Sequence, residues 1–415
     1  MTDRRRRVAI TGIGAITPIG STRDGLWAGL KARRSAVRGV TRFDASPFRS
    51  RIAAEVDGFA AGDHMELKRA KRLARFGQFA VAAARMALQD ACLDLAREDR
   101  ERVGAMMGTA LGGVGYAEEQ LSNFLTSGLR AVDATLALAV FGGAASCNIA
   151  IEFGVSGPNS TNAMSCASGT MAIGEALRQI RHGYADVMIA GGAEAPLSPL
   201  CYGAFALIRA MSTQNDNPSG ASRPFDRDRD GFVMGEAAAV LVLEEWERAA
   251  ARGAPVYAEL CGYGTTNDAH HMTAPLPSGA QAARAMRMAL EDARVSPGEI
   301  GYVNAHGSST LLNDERETTA IKTVFGTHAL RMPVSGTKGY YGHALGASGA
   351  IEAAICALAI QREWLPPTVN LETPDPVCDL DYIPHVGRTA RPEHVLSNSF
   401  GFGGINACLV LRRAE

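Results

Sequence analysis

Short runs of β-branched and aliphatic residues alternate along this chain with Ala-rich stretches whose apolar positions recur every three or four residues. The runs predict strands at Arg7–Gly12, Val103–Thr109, Asp186–Gly191, Ala238–Glu244, Ala258–Tyr263, Ile300–Ala305, Val395–Ser399 and Ala407–Leu411. The periodic stretches predict helices over Arg72–Leu93, Gly169–His182, Ala280–Ala293 and Ala347–Arg362. Such alternation predicts an α/β fold with buried sheets. No linker-like or low-complexity stretch divides the chain.

The pattern repeats. Arg85-Met86-Ala87-Leu88-Gln89-Asp90-Ala91 matches Arg287-Met288-Ala289-Leu290-Glu291-Asp292-Ala293 at six of seven positions. Ala167-Ser168-Gly169 echoes Ala347-Ser348-Gly349, and each opens a helical stretch. Two echoes in the same order point to duplication. Two related halves are expected, residues 1–252 and 253–415, meeting at the turn-like Arg252-Gly253-Ala254-Pro255.

Composition narrows the function classes. The 415 residues are 47% hydrophobic and 20% charged, enough for a large core and too apolar for wholesale disorder. The formal net charge of −1 gives no global basic field, so neither nucleic acid nor a membrane is an expected partner. Only five of the 42 basic residues are lysines, a bias that reads as genomic composition. The eight cysteines are scattered without a CxxC pair, which argues against a zinc ribbon or a disulfide scaffold and fits a reducing cytoplasm. Arg4 to Arg7 precede an apolar run, as in a signal peptide. Glycines and Pro18 break that run and no small-residue cleavage site follows, so a first strand is expected there.

Four motifs could carry chemistry. Ser165-Cys166-Ala167-Ser168-Gly169 puts Cys166 at a helix N-terminus, where unpaired N–H groups would favour a thiolate and lower the thiol pKa. An average cysteine is a small buried hydrophobe, and the other seven fit that description. Cys166 fits it less well, because the small residues around it leave room for a substrate. The preceding Ser160–Met164 is polar and turn-like. In Asn304-Ala305-His306-Gly307-Ser308-Ser309-Thr310 a strand ends at a histidine, a glycine and three hydroxyls, and strand ends are where α/β folds bind ligands. Lys338-Gly339-Tyr340-Tyr341-Gly342-His343 again leads into a helix. The glycines of Asn398-Ser399-Phe400-Gly401-Phe402-Gly403-Gly404 suggest close backbone approach or a mobile turn.

Other patterns lead elsewhere. Gly12-Ile13-Gly14 begins a dinucleotide fingerprint, but Thr17 stands where the third glycine belongs. Asp226 to Gly231 resembles the start of a calcium loop, but Ala237 holds the twelfth position and the glutamate is one residue early. The adjacent His270 and His271 make a poor metal pair, so no metal is expected.

Taken together, the four motifs resemble those of the β-ketoacyl-acyl carrier protein synthases, the elongating condensing enzymes of the thiolase superfamily. The resemblance runs from Val8–Gly12 to Asn398–Asn406, and is nearest to bacterial synthase II and the ketosynthase subunits of type II polyketide systems. It implies a thiolase-like five-layered αβαβα fold from two duplicated halves, and a dimer. It implies Cys166 as nucleophile, His306 and His343 as the paired histidines, and Lys338 held by Glu352. Asp314 and Glu317 match acidic positions after the first histidine. Phe402 resembles the family's gate, its backbone N–H completing an oxyanion hole with that of Cys166. Ser308, in place of the commoner threonine, and Thr310 match hydroxyls that contact the pantetheine arm. Leu111 matches a position near the end of the acyl pocket.

The implied reaction is decarboxylative Claisen condensation of an acyl-Cys166 thioester with malonyl-acyl carrier protein, in fatty-acid elongation or in polyketide or polyene synthesis. It needs no metal or organic cofactor. Lys68, Arg69, Lys71, Arg72, Arg130 and Arg209 match a docking patch for the acidic carrier protein, although Ala131 follows Arg130 where the family often has a second base. A homodimer is implied, with a heterodimer containing a chain-length-factor subunit as the alternative. A thiolase would use a second late cysteine; this sequence instead has the paired histidines, and Cys408 lies past the glycine-rich motif. An initiating synthase would place asparagine at His343.

Overall fold

The computed structural model describes residues 5–414; Arg4 of the basic run lies outside the described residues. Ten strands carry the architecture: β1 (Val8–Thr17), β2 (Val103–Gly108), β3 (Asn159–Asn162), β4 (Val187–Glu194), β5 (Ala237–Glu245), β6 (Ala258–Asn267), β7 (Ile300–Asn304), β8 (Val334–Ser335), β9 (His394–Gly401) and β10 (Ile405–Arg412). Their order is β8-β7-β9-β10-β6-β1-β5-β4-β2-β3, and the short Gly20–Ser21 pairs with β1. The order reads the same from the middle outward. β1 is followed by β5, β4, β2 and β3; β6 is followed by β10, β9, β7 and β8. In each set the first two pairings are antiparallel and the last two parallel. Among the described residues, strand pairing joins the sets at Ala9 with Glu259 and Ile10 with Ala258.

Four helices complete the layers: α1 (Arg75–Asp90), α2 (Ser168–Arg181), α3 (Ala280–Ala293) and α4 (Ser348–Arg362). α2 and α4 touch each other and strands of both sets, so they form the central layer. α1 packs outside on β1 and β5, and α3 outside on β6 and β10. The result is the five-layered α/β sandwich of the thiolase type. Every residue of α4 from Ser348 to Ile360 is buried, as a helix between two sheets requires.

The echoes in the sequence have matching structural jobs. A Cβ on Gly12 or Gly14 would strike the carbonyl oxygens of Ala87 or Ala83 in α1; on Gly262 or Gly264 it would strike those of Ala289 or Ala285 in α3. The aborted dinucleotide fingerprint is therefore a helix-packing device used twice. Asp90 accepts the Ile13 N–H at 2.8 Å, and Asp292 accepts the Tyr263 N–H at 3.0 Å.

Two expectations change. The helix expected from Arg72 starts at Arg75, because the Gln78 side chain closes the preceding turn by donating to the carbonyls of Ala70 and Leu73. The polar segment expected as a turn before Cys166 contains β3, parallel to β2. It lies at the sheet edge, partly exposed, so its side chains stay polar while its backbone pairs.

Candidate active site

Cys166 sits in a tight turn, Ser165–Ala167, that runs straight into α2. Ser165 takes a left-handed φ of +51°, strain of the kind stored at functional turns. The second half repeats the device with the turn Leu345–Ala347, Leu345 at φ +42°, leading into α4. Gly346 thus holds the place that Cys166 holds in the first half. A Cβ there would strike the backbone of Thr109 and Ala110, so this copy supplies closeness and the other a thiol.

His306 lies just beyond β7. Glu317 accepts the backbone N–H groups of His306 and Gly307 at 2.8 and 2.9 Å and the Asn398 amide at 3.0 Å, which locks the loop. Lys338 donates from its fully buried amine to the His306 carbonyl and to Glu352, and its nitrogen lies 3.4 Å from His306 Nδ1. His343 follows the short helix Lys338–Tyr341. The two imidazoles stand edge to face, with ring centroids 5.3 Å apart.

Cys166, His306, His343, Ser308, Thr310 and Phe402 line one cavity of about 310 Å³. The Ser308 and Thr310 hydroxyls lie 2.9 Å apart on its wall. Phe402 stacks on Phe205 with centroids 6.4 Å apart. Arg209 lines the same cavity and is exposed. Leu111 does not line it; Leu111 packs with Phe205 around the apolar cluster that includes Cys166, Leu197 and Tyr202.

Burial dominates the electrostatics. It pushes the Cys166 thiol up from its ordinary value, against the pull of the Ser165 hydroxyl, Lys338 and the Phe402 N–H. The expectation of a thiol lowered by the helix terminus is corrected: desolvation of the anion outweighs the N–H groups. Burial and then Lys338 push both imidazoles well below the usual histidine range, so both are neutral at pH 7. Burial raises the Glu352 and Glu317 carboxyls to about 7. Neutral imidazoles can donate N–H bonds to a developing oxyanion and keep the proton.

Asp314 belongs elsewhere. It faces Arg229 at 3.6 Å, both buried, and accepts the Phe225 N–H. Arg229, from the calcium-like segment, also donates to the carbonyls of Thr310 and Leu311. Asp226 accepts three backbone N–H groups, from Asp228, Glu372 and Thr373. That acidic run is therefore a scaffold for the Thr310 loop. Cys408 packs in the outer cluster with Cys261 and Ala289, its sulfur 3.3 Å from Asn398 Oδ1, and does not line the cavity.

Sequence reasoning missed Glu194. This carboxylate ends β4 and accepts the N–H groups of Ala110, Leu111 (3.2 Å) and Gly346 (3.0 Å), and the Thr109 hydroxyl at 3.0 Å. It ties the Leu111 loop to the turn before α4. The available signal was an acidic residue closing a wholly apolar strand.

The basic residues fall into separate places. Lys68, Lys71 and Arg72 are exposed around the short helix Leu67–Ala70. Arg69 is committed to Glu152, which also pairs with Arg85. Arg130 is exposed in a distinct turn, Leu129–Ala131.

Similarity to known proteins agrees with this geometry. Residues 5–249 match the β-ketoacyl synthase N-terminal domain and residues 257–372 its C-terminal domain. The 3-oxoacyl-[acyl-carrier-protein] synthase 2 of Synechocystis is 46% identical over 411 residues, 99% of each chain. A type II polyketide ketosynthase, solved with its acyl-carrier protein and bound to a hexaketide, superposes with a TM-score of 0.93 at 36% identity, over 99% of this chain and all of that one. The ishigamide ketosynthase/chain length factor gives 0.92 at 38% identity with the same coverage. With the cysteine and two histidines in one cavity on the thiolase-type sandwich, and full-length identity of this order, the chain belongs to the β-ketoacyl synthase family.

Proposed function

We propose that this protein catalyses decarboxylative condensation of an acyl-Cys166 thioester with malonyl-acyl carrier protein, releasing a β-ketoacyl-acyl carrier protein. The observation that carries this reading is the convergence of Cys166, His306 and His343 on one buried cavity, with Lys338 behind His306. Cys166 attacks the acyl thioester, the tetrahedral oxyanion rests on the N–H groups of Cys166 and Phe402, and the carrier thiol leaves with the cysteine proton. The malonyl C–C bond then breaks, carbon dioxide departs, and the two imidazole N–H groups hold the enolate oxygen. The enolate carbon attacks the acyl carbonyl, and Cys166 is expelled and regains a proton. Burial keeps water from both the thioester and the carbanion.

Fatty-acid elongation and type II polyketide or polyene synthesis both fit this site. The identity to synthase 2 relatives favours elongation. The second reading is a catalytic subunit active with a chain-length-factor partner, favoured by the likeness to a ketosynthase of that kind. In either case a dimer is supported by the free edge of β3 and the exposed Leu121, Leu125, Phe141 and Ile151. We place the division between halves at residues 252 and 253, with Ser308 and Thr310 on the pantetheine arm, Leu111 limiting chain length, and Lys68, Arg69, Lys71, Arg72, Arg130 and Arg209 receiving the carrier protein in the cytoplasm. No helix among the described residues is long and apolar enough to cross a membrane.

Intact mass after incubation with a medium-chain acyl-carrier protein tests the reading, beside Cys166→Ala. An adduct on the wild type alone is expected. An adduct on both overturns Cys166 as nucleophile. None on either, with the protein folded, favours the heterodimer.

A further inference from the structure

Ser348 opens α4 and is completely buried. Its hydroxyl oxygen lies 2.9 Å from Nδ1 of His343, and it makes no other hydrogen bond among the described residues. The corresponding serine of the first half behaves differently. Ser168 Oγ lies 2.7 Å from the Ser165 carbonyl and 3.1 Å from the Thr109 carbonyl, so its proton goes to the backbone. Ser348 has only the imidazole to give its proton to.

A neutral imidazole carries one proton, and the partner of one nitrogen sets which nitrogen holds it. If Nδ1 held the proton, it would donate to Ser348, and the serine's own proton would be buried without an acceptor. If Ser348 donates instead, Nδ1 and the hydroxyl are both satisfied and the imidazole proton sits on Nε2. Phe232 packs edge-on to the same ring at 5.5 Å and fixes its plane. His306 is backed in a comparable way, with the Lys338 nitrogen 3.4 Å from its Nδ1.

We infer that Ser348 is a positioning residue: it fixes His343 as the Nε2–H tautomer and so aims an N–H donor into the cavity, where the malonyl thioester oxygen becomes an enolate. Donors of different kinds, an amine in one case and a hydroxyl in the other, then serve the two histidines. This rests on the proposed role of His343, and the two can be tested apart.

The test uses the full chain with ¹⁵N-labelled histidine and malonyl-carrier protein as substrate. His343 is assigned by the resonances lost in His343→Ala. In the wild type its Nδ1 should resonate as an unprotonated acceptor nitrogen. In Ser348→Ala that signature should move toward a mixture of tautomers. Decarboxylation should fall roughly tenfold or more in that variant, with Cys166 still taking an acyl group as the check on folding. A protonated Nδ1 in the wild type overturns the inference whatever the variant does. So does Ser348→Ala decarboxylating at the wild-type rate. If His343→Ala itself decarboxylates normally, the role of His343 fails, while the tautomer signature still decides what Ser348 does.

Discussion

His306 and His343 come from different loops of the second half, yet their rings stand 5.3 Å apart at 80° to one another on the wall that also holds Cys166. Both are neutral because burial and Lys338 disfavour the imidazolium. Two neutral N–H donors on one cavity wall suit an enolate better than they suit a thiol. His306→Ala and His343→Ala should therefore each lower malonyl-carrier protein decarboxylation by about 100-fold or more, while Cys166 still acylates from a small thioester. Equal loss in both half-reactions would refute the division of labour.

Lys338 and Glu352 form an ion pair with no solvent exposure. Lys338→Met leaves the carboxyl buried without its partner and should cost about 3–5 kcal/mol in unfolding free energy. Adding Glu352→Leu should return most of that stability. It should not return decarboxylation, because the donor behind His306 is gone. Recovery of activity in the double variant would mean the pair is only structural.

Cys166 is held above the ordinary thiol value by burial. Below that value the thiolate is a minority that grows with pH. The alkylation rate by iodoacetamide should thus climb about tenfold per pH unit from pH 7 to 9 without levelling. A plateau beginning below pH 8 would show that the helix terminus and the Phe402 N–H outweigh desolvation after all.

Gly14 and Gly264 touch the carbonyls of Ala83 and Ala285, one in each half. Alanine at either should destabilise the protein by about 3 kcal/mol, read from denaturant midpoints. Wild-type stability in both would remove the close helix–strand contact as the reason for these glycines.

Arg72 is exposed beside the short helix Leu67–Ala70, whereas Arg69 is tied to Glu152. Arg72→Glu should weaken acylation from a carrier-protein donor and spare acylation from a small thioester. Equal rates with both donors for wild type and variant would discard the docking role.

All eight sequence-derived strands and all four helices appear in the fold, because apolar periodicity records burial directly and these elements are long. Lengths shifted by a few residues, as when Gln78 set the start of α1. β3 escaped notice because an edge strand is held by its backbone, and its polar side chains carry no period to read. Glu194 escaped because its four donors come from two segments, residues 109–111 and Gly346, that no local window around it contains.

The sequence by itself determined the duplicated α/β pattern and the motifs holding Cys166, His306, Lys338 and His343. Each of these is a local constraint on backbone or side-chain type. Only the tertiary structure decided the charge states and the pairings. Closing α2 and α4 between two sheets removed water from the site, and that desolvation raised the thiol where the helix terminus alone would have lowered it. At two equivalent helix starts, Ser348 meets the His343 ring five residues before it, while Ser168 turns to the carbonyls of Ser165 and Thr109.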